Sequence, residues 1–234
     1  MTSHSEPVTA RTVDLSHRPL SVRPARRLGQ LVAGLALYGA SMGLMVRGTL
    51  GLDPWDVLHD ALARRTGLSF GTVTALTGIA VLLCWIPLRQ RPGLGTLANV
   101  LLIAFAVDVT LWLLPAPDAL AARIALMVGG VVLNGLATAA YIAARFGPGP
   151  RDGLMTGLAA RLPQVSIRVV RTAIEVFVLG TGWLLGGTVG IGTVVYALAI
   201  GPLTQAFLPF VGWRERPDGD RAHRAEGLDR GHGA

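Results

Sequence analysis

"GLDPWDVLHDALA" at residues 51–63 and "GPGPRDGLMTGLA" at 147–159 are one phrase written twice, with Gly, Pro, Asp, Leu, Leu and Ala in register. The repetition extends beyond the phrase. Gly39 matches Gly135 at an offset of 96, and Leu68-Ser69-Phe70 matches Val165-Ser166-Ile167 at 97. "PGLGTLANVLLI" (92–103) then matches "VGIGTVVYALAI" (189–200) at the same 97. In each phrase Asp53 or Gly149 can act as N-cap, Pro54 or Pro150 as the first helical residue, and Asp56 or Asp152 as a first-turn acid facing the helix dipole. Trp55, Leu58 and Leu62 then share a face, as do Leu154, Leu158 and Leu162. Each phrase is expected to open a short amphipathic helix that lies on the membrane or dips into it, the two copies on opposite faces.

The membrane enters through composition. Of 234 residues, 51% are apolar and only 15% charged, against about 25% charged in an ordinary soluble domain. The charges crowd into the two ends and a few short islands. Between them run six apolar stretches, about 28–46, 69–88, 94–114, 122–144, 167–187 and 190–211. Each is long enough to cross about 30 Å of hydrocarbon. The stretch at 28–46 follows an Arg-rich start as a signal peptide would, but it is long for that role and has a repeat counterpart.

The chain thus reads as an all-α, polytopic helix bundle. Its parts are an Arg-rich, disordered tail (1–27), a three-span repeat (28–114), a second three-span repeat (122–211) and a charged tail (212–234). All 21 basic residues are Arg. With the N-terminus inside, seventeen fall on the cytoplasmic side and four outside, Arg47, Arg64, Arg65 and Arg123; both termini are therefore expected in the cytoplasm. Three is odd, so the second repeat would enter from the opposite side, as in many secondary transporters. The net charge of +7 flanks spans rather than forming a basic face, which excludes nucleic acid as the expected partner. The single Cys84 allows no intrachain disulfide and no cysteine cluster for a metal.

The doubled G-x-x-P-x-D-x-L phrase, the "LSFGTVT" stretch (68–74) and the doubled G-x-G-T resemble the YczE-like bacterial integral membrane proteins, related in style to the YitT group. The resemblance covers about 28–211. It implies a multi-span protein of the bacterial plasma membrane and carries over no catalytic or ligand residue.

Several motifs yield to structural readings. "GASMG" (39–43) fits the nucleophile pattern G-x-S-x-G around Ser41, but it lies mid-span, where no His is available as base. It also spells G-x-x-x-G, a helix-packing surface. Gly93, Gly95 and Thr96, with Gly190, Gly192 and Thr193, lack the strand of a phosphate loop. They read as tight span starts where helices approach closely, or as broken helix ends beside a cavity. His59 and Asp60 are adjacent on a helix, do not face one another, and read as a solvated interfacial face.

Polar residues at depth are the remaining candidates. Glu175 sits about 12 Å inside the fifth span and Asn134 at a similar level. Asp108 lies about 9 Å from the external end of the third span, with Gln205 as its repeat counterpart. Arg171 precedes Glu175 by one turn and can pair with it. Charged groups at such depth usually face a bundle interior or a water-filled path. Glu175, Asp108, Asn134, Arg171 and Gln205 are thus the expected solute or ion pathway. A small-solute or ion permease is the leading expectation, and a non-transporting scaffold that acts through helix packing is the alternative. No enzyme activity, cofactor or metal is expected. The expected partners are the lipid bilayer, a small molecule or ion, and a second copy of the chain.

Overall fold

A computed structural model describes residues 24–212. The expected tail disorder and most of the charges used to orient the chain's ends lie outside the described residues. Within them the chain is all-helical: α1 (Pro24–Gly48), α2 (Pro54–Thr66), α3 (Phe70–Leu88), α4 (Leu94–Leu113), α5 (Leu120–Ala143), α6 (Pro150–Arg161), α7 (Ile167–Leu184) and α8 (Ile191–Val211). The six apolar stretches become α1, α3, α4, α5, α7 and α8, and the two phrases open α2 and α6.

The caps explain where the helices begin. The Asp53 carboxylate accepts from Asp56 N at 2.8 Å. Ser69 Oγ accepts from Thr72 N at 3.1 Å, and Ser166 Oγ from Val169 N at 3.4 Å. Each such cap satisfies a donor the helix itself leaves open and stabilises it by about 1 kcal/mol. Pro54 and Pro150 stand at the first turn, where no backbone N–H is missed.

Five helices among the described residues, α1, α3, α4, α5 and α8, are long and apolar enough to cross a membrane. α7 has 18 residues, but Arg168, Arg171 and Glu175 charge its first half. Large apolar side chains point outward along these five helices, Leu83, Phe105, Ile124 and Leu198 among them. In water each would forfeit roughly 1.5–3 kcal/mol of burial; against lipid tails the exposure costs nothing. Cys84 is exposed on α3.

α1 and α5 form an antiparallel central pair. Gly34 abuts Tyr141 at one end, and Gly48 abuts Arg123 and Met127 at the other. α4 packs on α1 and α8 on α5. Gly39 lies against Ile103 and Val107, Gly43 against Thr110, so "GASMG" is a packing surface. The outer helices then cross over, α2 against α7 and α3 against α6.

The repeated motifs lock onto each other across the two copies. Gly192 N donates to Leu50 O at 2.8 Å, and Leu52 N to Thr193 Oγ1 at 3.2 Å. At the equivalent joint, Gly95 N donates to Phe146 O at 3.0 Å, and Thr96 Oγ1 to Pro148 O at 2.8 Å. Each G-x-x-P loop therefore seats on the other copy's G-x-G-T, which is the close-approach reading of those glycines. Gly51 and Gly147 take φ of +120° and +116° to make the turn, a region open to glycine. A second joint is built alike. Arg27 donates through Nε to Ala144 O and through Nη2 to Arg145 O, both at 3.1 Å. Arg123, 96 residues on, donates to Gly48 O at 3.1 Å and Thr49 O at 3.4 Å. Each guanidinium caps the last carbonyls of the partner helix, where a cation is favoured.

Two expectations need correction. The phrases are not confined to opposite faces: Arg151 reaches within 3.6 Å of Asp53 and 3.7 Å of Asp56, so the first turns of α2 and α6 meet inside the bundle. His59 and Asp60 are not a solvated face either, being 1% and 7% exposed. Asp60 is held by Thr188, whose N and Oγ1 donate to Oδ2 at 2.9 and 2.7 Å, and by Arg64 at 2.9 Å. Inter-copy docking buries what a lone amphipathic helix would leave wet.

A candidate solute cavity between the two short helices

A cavity of about 300 Å³ opens where α2 and α6 begin. Its lining comes largely in pairs 96 or 97 residues apart: Asp53 with Gly149, Trp55 with Arg151, Gly78 with Glu175, Asn99 with Tyr196. The two copies thus contribute matching positions and different chemistry.

Arg151 is the centre of this divergence. Its Cζ lies 5.1 Å from the centroid of the Trp55 ring, the residue it replaces in the repeat, and its head lies between Asp53 and Asp56. Both separations exceed direct hydrogen-bond length, so charge and the ring face hold it. Asp56 Oδ1 also meets His59 Nδ1 at 3.0 Å. Burial pushes the Asp56 carboxyl up to about 7 against the pull of Arg151, and pushes the His59 imidazole down to about 3. Near neutral pH this pair is poised to gain or lose one proton. Two buried polar atoms in the wall, Trp55 Nε1 and His59 Nε2, have no hydrogen-bond partner.

All three tyrosines of the chain line this cavity. Tyr141 OH donates to Asp152 Oδ2 at 2.7 Å, and Tyr38 packs edge-on against Tyr141 with centroids 6.1 Å apart. Tyr196 OH donates to Asn134 Oδ1 at 3.1 Å, while Asn134 Nδ2 donates to Ser41 Oγ at 2.8 Å. No group of three or more His, Cys, Asp or Glu suited to a metal occurs among the described residues.

The expected pathway residues separate. Glu175 and Arg171 line the cavity, paired at 2.9 Å. Asn134 lies behind the wall and orients Tyr196. Asp108 is elsewhere: its carboxylate accepts from Gly71 N at 2.7 Å and from Ser69 Oγ, fastening the start of α3 beside a separate shallow groove. Gln205 is exposed on α8 and outside the cavity. Sequence reading missed Tyr38, Tyr141, Tyr196, Asn99 and His59 as lining residues. A signal was present: Asn99 and Tyr196 follow Thr96 and Thr193 by three residues, one helical turn past each docking motif.

An all-helical bundle with five span-length apolar helices and large apolar side chains on its outer surface defines an integral membrane protein. Residues 25–209 match the family of unknown function DUF6198, and the chain belongs to it. It is 42% identical over 181 residues to an uncharacterized protein of Haemophilus influenzae, covering 77% of this chain and 83% of that one. It is 33% identical over 180 residues to the uncharacterized membrane protein YczE of Bacillus subtilis, covering 76% and 83%. The uncharacterized protein YyaS of the same bacterium is 28% identical over 182 residues, 76% of this chain and 90% of the other. The YczE-like resemblance read from the motifs is thereby borne out. No solved structure matches the chain.

Proposed function

We propose that the protein is a permease for a small solute, built from two inverted three-span halves with both termini in the cytoplasm. α7 serves as the sixth span, its Arg171 and Glu175 neutralising each other on the cavity side. α2 and α6 are half-helices that begin at the centre of the bundle and run out towards opposite sides. One observation carries the proposal: two helices too short to span open side by side at one cavity, to which each brings charged side chains. Interrupted helices whose ends meet at mid-depth are how many carriers hold solute, and irregular backbone at that depth is tolerated only where protein or water satisfies it. The cavity of about 300 Å³ is at the small end of solute pockets.

The test is uptake. Purified protein in proteoliposomes should accumulate a solute that also raises its melting temperature, and Glu175→Gln should reduce that uptake while leaving the fold intact. A protein that neither responds to solutes nor moves them would instead support the scaffold alternative.

A further inference from the structure

The substrate class follows from the wall, granting that the cavity is the permease's solute site. Asp53, Asp152 and Glu175 line it and Asp56 is buried beside it, against the two guanidiniums of Arg151 and Arg171. Burial raises Asp53 and Asp56; once they are ionised, four carboxylates face two guanidiniums and the positive starts of α2 and α6, each equivalent to about half a charge, an excess of about one negative charge in a region of low dielectric. Such an excess favours a further cation and repels an anion. The aromatic content points the same way: three tyrosines and Trp55 line one small space, and ring faces attract cations, as Trp55 already does Arg151. With Nδ1–H turned to the Asp56 carboxylate, the buried His59 Nε2 is an acceptor without a protein partner in that wall, open to an N–H of the guest.

Arg151 shows where a cation sits. Its guanidinium rests over Trp55 between Asp53 and Asp56, without direct hydrogen bonds to either carboxylate. An anion drawn to Arg151 would meet both of those carboxylates at once. A cation would take the guanidinium's place.

We propose that the cavity binds a small organic cation, an ammonium or guanidinium compound, over Trp55 and between Asp53 and Asp56, and that Arg151 is its tethered competitor. Displacing Arg151 parts the first turn of α6 from that of α2, so the same event that seats the solute loosens the contact between the halves.

The experiment titrates choline, tetramethylammonium and methylguanidinium into the purified full chain, following melting temperature and heat of binding. Acetate and 3,3-dimethyl-1-butanol, the neutral isostere of choline, are the controls. At least one cation should bind, and the controls should not. Arg151→Ala should tighten cation binding tenfold or more, because the competitor is gone, and Trp55→Leu should weaken it by a similar factor. Should Arg151→Ala fail to fold, Arg151→Gln and the wild-type titrations decide. Acetate binding that Arg151→Ala or Arg151→Gln abolishes would overturn the proposal, and so would the absence of binding by every cation to wild type and Arg151 variant alike. Cation binding without uptake in proteoliposomes would uphold this site and remove the permease. Uptake of an anion or neutral solute without cation binding would do the reverse.

Discussion

Asp56 carries the sharpest test at the scale of a single residue. It faces Asp53, His59 and Asp60 from its own end of the chain and Arg151 from α6. Its carboxyl, pushed up to about 7 by burial, holds a proton below that pH and a negative charge above it. Cation binding should therefore weaken as pH falls from 8 to 6, and Asp56→Asn should flatten that profile. A titration calorimeter reads both; an unchanged wild-type affinity over the range would detach Asp56 from the site. A backbone prediction is independent of any ligand. Gly51→Ala forces φ +120° on a residue with a Cβ and drives that atom to 2.7 Å from Thr193 N. The strain alone is about 1–3 kcal/mol, visible as a fall in melting temperature. Gly29→Ala, in α1 with nothing within 4 Å of the new atom, should instead be neutral or stabilising by up to about 1 kcal/mol. Much at this scale was legible beforehand. Depth singled out Glu175 and Arg171, because an ionisable group inside a span needs a reason to be there. Depth does not name a partner, which is why Asp108 read as pathway when it fastens α3. The tyrosines escaped notice because an aromatic in a span is also an ordinary packing residue.

At the level of elements, the helices and their starts were readable, since Ser, Asp and Pro stand where orphan N–H groups require them. What each short helix touches was not. An internal repeat reveals which residues are equivalent, whereas docking here joins residues that are not equivalent, a G-x-x-P loop to the other copy's G-x-G-T. The proposed inversion is tested through the exposed ends of the short helices. Thr66→Cys and Ala160→Cys, each in a Cys84→Ser background, should react with an impermeant maleimide from opposite sides of the membrane. Reaction of both from one side would sink the inverted arrangement. Asp60 is unsuitable for such labelling because Thr188 and Arg64 hold it inside.

Over the whole molecule, the pairing of Arg171 with Glu175 separates structure from function. The pair is partly exposed, and a Gln in place of Glu175 keeps an oxygen that can accept from Arg171 Nε. Glu175→Gln should accordingly shift the melting temperature by only a few degrees while uptake falls severalfold. If Arg171→Leu combined with Glu175→Gln restores full uptake, the pair is merely neutralising and the solute path runs along the tyrosine side. The doubled sequence announced a protein in two parts, yet neither part is self-sufficient, and this matters when the chain is made. Arg27 leaves the ribosome 117 residues before the carbonyl it caps. At 5–20 residues per second that is a wait of roughly 6 to 23 s. Throughout it the joint between Arg27 and Ala144 cannot form, and the Gly95 N–H, once made, waits for Phe146 O, which is synthesised later. The first part must be sheltered, by the insertion machinery or by water at the membrane surface, until the second arrives to close it.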